Sequence, residues 1–188
     1  MAGPKAHQAN RVRIIGGAYR RRLLTFPDAP GLRPTPDRVR ETLFNWLGQD
    51  LPGWVCLDLF AGSGALGFEA ASRGAGRVVM VERERAAVEA LLANRAMLDA
   101  RCVSVERADS LSWLAANRTP FDLVFVDPPF DSALAEPVLA VLAPHVREGG
   151  WVYVEAATAV AAPPGFAVHR SARAGKSHYA LLTKESRC

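Results

Sequence analysis

The chain has 188 residues, 49% of them apolar, and a net charge of +4, which suits one domain with a real core and a small appendage. No uninterrupted apolar run approaches the ~18 residues of a membrane span. The opening MAGPKAHQANRVR lacks the apolar core of a signal peptide, and Cys56, Cys102 and Cys188 have neither metal nor redox spacing, so a cytoplasmic, reduced protein without metal or membrane segment is expected.

Residues 1–10 read as a flexible tail. RVRIIGGAYRRRLLTF (11–26) contains two short β-like runs about Gly16-Gly17, a hairpin signal. PDAPGLRPTP (27–36) is Pro-rich loop. Thr35-Pro36 resembles a helix N-cap followed by proline at the first helical position, and Val39, Leu43, Phe44 and Leu47 follow at helical spacing until Leu51-Pro52-Gly53. Residues 1–40 hold nine Lys/Arg against Asp28 and Asp37, an excess of +7, so the other 148 residues sum to −3. A basic segment on a slightly acidic body points to a polyanionic partner. Arg11, Arg13, Arg20, Arg21, Arg22, Arg33 and Arg40 are the candidate phosphate contacts, and a solvated basic face is the plain alternative. Residues 11–50 are therefore expected to form a basic hairpin-and-helix extension, and residues 51–188 the main domain.

From residue 55 the pattern alternates. VCLDLF (55–60) reads as a strand and ALGFEAASRG (65–74) as a short helix; RVVMVE (77–82) as a strand and ERAAVEALLANRAML (84–98) as a helix. CVSVE (102–106) is a strand with a short helical piece near 110–117, FDLVFVD (121–127) a strand, and ALAEPVLAVLAPHV (133–146) a helix. WVYVEA (151–156) is a strand, and FAVHRSA with HYALLTK a closing hairpin. Continuously apolar strands alternating with helices predict an α/β protein with a mostly parallel sheet covered on both faces. In such sheets ligands bind outside the carboxyl ends of the strands, which gathers residues 58–67, Glu82 and Asp127–Phe130 on one rim.

DLFAGSGALG (58–67) satisfies G-x-G-x-x-G with Gly62, Gly64 and Gly67, and Glu82 lies twenty residues beyond Gly62. Glycines let the backbone turn tightly and approach a ligand, and a carboxylate at the next strand end can accept from both ribose hydroxyls. A nicotinamide site would share these features. Against it, Asp58 would repel a pyrophosphate but can accept from an ammonium group, Asp109 is placed to accept from an adenine amine, and 188 residues leave little room for a substrate domain. S-adenosylmethionine, an adenosine without phosphates bearing an amino acid, fits all three. For Asp109 a plain helix N-cap competes evenly.

The strand 121–127 ends in Asp127-Pro128-Pro129-Phe130. Proline lacks an N–H and restricts the residue before it, so two in succession turn the chain stiffly out of the sheet. The Asp127 carboxylate and the Pro128 carbonyl can then face the cleft as acceptors, and Phe130 offers a flat apolar face. That suits a planar heterocycle carrying an exocyclic NH2. Acceptors on both amine hydrogens free the nitrogen lone pair, and Asp127 stabilises the positive charge that develops on it.

DLFAGSGALGFEAASRGA, VVMVERE and FDLVFVDPPF together resemble class I S-adenosylmethionine-dependent methyltransferases of the amino-methylating type. RIIGGAYRRRLLTFP…LRPTPDRVRETLFNWL is similar to the hallmark of the bacterial small-subunit rRNA guanine-N2 methyltransferases, the RsmD family, and the resemblance covers about residues 11–184. It implies a Rossmann-like, seven-stranded, mostly parallel sheet with helices on both faces and an antiparallel C-terminal strand. It implies a monomer that methylates one guanine of 16S rRNA in an assembled or assembling 30S subunit. It implies Phe60, Gly62 and Gly64 at the cofactor loop, Asp58 near the methionine end, Glu82 with Arg83 at the ribose, and Asp109 with Ser110 at the adenine. Asp127, Pro128, Pro129 and Phe130 would hold the target amine, with Thr35 and Arg38 over the cleft. Adenine-N6 methylation of DNA or RNA, glutamine methylation of a protein, and a non-catalytic RNA-binding assembly factor are the competing readings.

Overall fold

The structure, a computed structural model, describes residues 10–130 and 132–186; the expected tail, Asn10 apart, and Cys188 lie outside the described residues. Two strands, β1 (Asn10–Arg13) and β2 (Leu23–Phe26), form an antiparallel ribbon, followed by α1 (Asp37–Trp46). The alternating region gives β3 (Val55–Asp58), α2 (Ala65–Ser72), β4 (Arg77–Glu82), α3 (Arg85–Leu98), β5 (Val103–Arg107), α4 (Ser110–Ala116), β6 (Phe121–Val126) and α5 (Ala135–Val141). Strands β7 (Val146–Ala156), β8 (Phe166–Ala174) and β9 (Ser177–Lys184) complete it.

The seven-stranded sheet has the order β5-β4-β3-β6-β7-β9-β8, parallel except where β9 joins β7 and β8 antiparallel. This is the expected doubly wound α/β architecture. Its strands are apolar throughout because alternate residues enter two cores. Cys56, Val78, Met80, Leu123 and Phe125 pack beneath the ribbon, α1, α2 and α3. Leu57, Val79, Val81, Val124 and Val126 face the other way, against α4 and α5.

Two elements differ from expectation. The predicted helix over 133–146 ends at Val141 and passes through a 3-10 turn, Ala143–His145, into β7. Pro144 has no N–H, and its ring clashes with the carbonyl four residues back, which stops the helix. The hairpin does not turn at Gly16-Gly17. Arg13 pairs with Leu23, so residues 14–22 form a long loop. That loop docks on α2, and the glycines serve the docking: a Cβ on Gly17 would lie 1.8 Å from the Ser72 carbonyl oxygen, and one on Gly16 2.5 Å from Arg73.

The dock centres on Glu69, wholly buried in α2. Its carboxylate accepts the N–H groups of Ile15 (2.9 Å) and Gly16 (2.8 Å), pairs with Arg73 at 2.9 Å and with Arg40 of α1 at 3.2 Å. Arg40 is fully buried and donates further to Asp37 (2.6 Å) and to the Thr35 carbonyl (3.0 Å). Removing one partner of a buried, hydrogen-bonded ion pair strands the other charge out of water. Arg40→Ala is therefore expected to cost about 3–5 kcal/mol of unfolding free energy in urea titration. A loss below about 1 kcal/mol would show that Glu69 does not depend on it.

Candidate functional site

The strand order brings the carboxyl ends of β3, β4, β6 and β7 side by side, and the site is built on that rim. After Asp58 the chain follows the sheet edge, the Leu59 N–H reaching the Phe125 carbonyl (3.2 Å) and the Ala61 N–H the Val81 carbonyl (3.0 Å). It then turns through Gly62 (φ +50°) and Gly64 (φ +79°) into α2. Only glycine takes such angles without strain. At Gly64 a Cβ would also strike Leu91 and Phe68, each at 2.7 Å.

Two acids brace this turn. Glu82 accepts from the Gly62 N–H (2.8 Å) and the Glu84 N–H (2.9 Å). Asp58 accepts from the Gly67 N–H at 3.0 Å through Oδ2, while its buried Oδ1 has no hydrogen-bond partner among the described residues. Burial pushes the Asp58 carboxyl up to about 7, opposed by the N–H groups of Gly67 and Phe60 and assisted by the Glu82 charge. A buried acceptor without a donor is costly.

At the neighbouring strand end, Asp127 follows β6 and its Oδ2 accepts the Thr35 hydroxyl at 2.7 Å. The expected N-cap role of Thr35 is thus corrected. Helix α1 starts at Asp37 with no side-chain cap, and the hydroxyl is spent on Asp127. Burial, followed by the Glu155 charge, holds the Asp127 carboxyl well above the usual range, and the Thr35 bond opposes the shift. The Pro-Pro turn is closed by Ser132, whose N–H (2.8 Å) and hydroxyl (2.7 Å) both donate to the Pro129 carbonyl. Phe130 stands 54% exposed.

The structure therefore unites Thr35, Asp58, Gly62, Gly64, Glu82 and Asp127. Phe60 is half-buried at the glycine turn, and Ser110 is buried as the first residue of α4. Asp109 serves as the α4 N-cap, accepting the Ser112 N–H at 3.0 Å, which lowers its pKa. Arg83 points to solvent and pairs with Glu84, and Arg38 is exposed on the first turn of α1. Of the proposed phosphate contacts, Arg11, Arg13, Arg20, Arg21, Arg22 and Arg33 are exposed, with Arg13 also paired to Asp37 at 2.9 Å. Arg40 is the exception. Its guanidinium is buried in the Glu69 cluster and cannot reach a phosphate.

Sequence reasoning missed Leu32 and Glu155. Leu32 crosses the glycine turn so closely that a Cβ on Gly62 would lie 2.9 Å from its Cδ1. A loop residue fixed only by tertiary contact leaves no pattern. Glu155 is the last residue but one of β7, one strand from Asp127, and the acid near the end of the run WVYVEA was a readable signal. Among the described residues no group of three or more His, Cys, Asp or Glu could hold a metal ion, and no helix is long and apolar enough to cross a membrane.

A family model described as Conserved hypothetical protein 95 matches residues 12–183. The chain is 42% identical to the ribosomal RNA small subunit methyltransferase D of Escherichia coli K12, covering 99% of this chain and 96% of that protein. It is 43% identical to the protein of the same name from Haemophilus influenzae over 77% of this chain and 78% of that one. The solved structure of the Escherichia coli yhhF protein superposes with a TM-score of 0.85 at 42% identity, covering 95% and 100% of the two chains. An RNA methyltransferase of Salinibacter ruber, solved with S-adenosyl-L-homocysteine, shares the fold at 19% identity, with a TM-score of 0.65 and 83% and 96% of the chains covered.

A carboxyl raised in the folded state holds its proton more tightly folded than unfolded. The stability that Asp58 ionisation costs is therefore absent below about pH 4 and grows until about pH 7, to at most ~4 kcal/mol. Asp127 and Glu155 act in the same sense. Asp58→Asn is expected to flatten the fall in unfolding free energy between pH 4 and pH 7, measured by urea titration at several pH values. A slope identical to that of the parent chain would show that Asp58 ionises freely.

Proposed function

Since the chain belongs to the family of ribosomal RNA small subunit methyltransferase D, we propose that it transfers a methyl group from S-adenosylmethionine to the exocyclic N2 of a guanine in 16S rRNA, within an assembled or assembling 30S subunit. The observation that carries this reading is the pairing on one rim of a buried acid under a glycine turn, Asp58, whose Oδ1 has no partner among the described residues, with a half-buried acid before two prolines and an exposed phenyl ring, Asp127 to Phe130.

The residues fit the cofactor. Asp58 Oδ1 is the acceptor that a cofactor ammonium would satisfy. Glu82 uses one backbone N–H at each oxygen and keeps lone pairs for two ribose hydroxyls. Its charge disfavours a cofactor with a 2′-phosphate. Asp109, Ser110 and Phe60 border the adenine side. When bound, S-adenosylmethionine supplies an electrophilic methyl on a positively charged sulfur.

The chain's own work is alignment and charge. The guanine amine is a weak nucleophile because its lone pair is delocalised into the ring. Asp127 and the Pro128 carbonyl accept its two hydrogens, Phe130 stacks on the base, and the lone pair is directed at the methyl. Positive charge grows on nitrogen during transfer, and the Asp127 carboxylate stabilises it without reorganisation, in a site shielded from water. The exposed arginines of the 14–22 loop and of residues 27–38 contact phosphates, which positions the RNA without reading sequence. The target base leaves its stack to enter the cleft.

Asp127→Ala is expected to lower methyl transfer by about 10²–10³-fold while cofactor affinity by calorimetry shifts less than about threefold. Undiminished transfer would refute the role. Reversing Arg20, Arg21 and Arg22 to Glu should make the log affinity for RNA less steep in log salt by about 0.7–0.9 per lost phosphate contact. An unchanged slope would remove that loop from the interface.

A further inference from the structure

The proposed reaction leaves one half-buried acid of the cleft, Glu155, without a task. Strands β6 and β7 run parallel with Val126 beside Val154, so the next residues, Asp127 and Glu155, are neighbours at the rim. They share the face that carries Phe125 and Tyr153, whose rings lie 6.4 Å apart. Glu155 is half-buried and held from two sides: the Tyr153 hydroxyl donates to Oε1 at 2.5 Å and the Ser177 hydroxyl to Oε2 at 3.1 Å.

We propose that Glu155 is the base-selecting residue of this site, accepting the ring N1–H of the target guanine while Asp127 holds the adjacent amine. The proposal rests on the guanine-N2 reading above.

Three features carry it. The two acids stand side by side, and among the described residues the groups acting on Asp127 are two carboxylates, Glu155 and Asp58, and one hydroxyl, Thr35, with no arginine or lysine. Burial raises both carboxyls, and at Asp127 the Glu155 charge adds to that shift. The tethers from Tyr153 and Ser177 fix the orientation of Glu155, which an acid with no directional task does not require.

The base edges then decide the fit. Guanine alone presents an exocyclic amine next to a ring N–H, two donors pointing the same way. Adenine and cytosine place a ring nitrogen lone pair beside their amine. Against Glu155 that lone pair would meet a carboxylate oxygen, with no hydrogen bond and with a buried acceptor left unmade. A site built to hydrogen-bond a particular group rejects the analogue lacking it far more strongly than a shape-selecting pocket does. The Asp127 turn by itself would accept any of the three amines, so Glu155 supplies the choice.

The test uses small-subunit RNA in which the methylated guanine is replaced by 2-aminopurine, which keeps the C2 amine but makes N1 an acceptor. The parent chain should prefer guanine by about 100-fold or more in kcat/KM. In Glu155→Gln, whose amide can also donate to N1, that preference should shrink at least tenfold, with cofactor affinity and Tm preserved. A purely structural Glu155 would lower both rates together and leave the ratio fixed, which overturns the proposal. Should the variant not fold, a parent chain that uses the two bases within about threefold overturns it equally. A parent chain that methylates no guanine refutes the underlying reaction instead, and methylation of guanine in the same assay separates the two failures.

Discussion

The buried carboxylate of Glu69 is the interaction on which the arrangement depends. It sits in α2, the helix that begins at the glycine turn, and collects two backbone N–H groups from the 14–22 loop, one guanidinium from α1 and one from the end of its own helix. One of those guanidiniums, Arg40, also holds the carbonyl of Thr35, and the hydroxyl of Thr35 is bonded to Asp127. A single ionic cluster thus links the 14–22 loop, Thr35 ahead of α1 and the acid after β6. Replacing such a cluster with apolar residues need not destabilise a protein, but no apolar set could reproduce its directional links.

The cleft so framed has a chemical bias. Asp58, Asp127 and Glu155 face it from three adjacent strand ends, and the donors recorded against them are backbone N–H groups and hydroxyls. Such an excess of acceptors disfavours phosphates and favours ligands rich in N–H groups and positive charge. A cofactor bearing an ammonium and a sulfonium, and a base bearing an amine, both qualify. The arginines of residues 11–38 are exposed positive groups.

Much of this was legible in the sequence because it obeys local rules. Continuous apolar strands forced a two-faced parallel sheet, the glycines with Glu82 marked the turn, and Asp127-Pro128-Pro129-Phe130 marked the second loop. What escaped was tertiary. Gly16-Gly17 resembled a tight turn, but those glycines are small because the loop presses on α2. Arg40 looked like one more basic residue of a charged segment, and only the position of Glu69 across the chain makes it internal. Thr35 satisfied the pattern of a helix cap and serves Asp127 instead. A hydroxyl or a guanidinium has several possible partners, and sequence spacing reports only the nearby ones.

The central claim is that the rim acids orient a guanine amine toward a methyl donor. It is tested most directly by incubating the protein with labelled S-adenosylmethionine and small subunits lacking the modification, then digesting the RNA to nucleosides. Label should appear as N2-methylguanosine at one nucleotide of 16S rRNA. Label in N6-methyladenosine, or its absence from RNA despite bound cofactor, would contradict it.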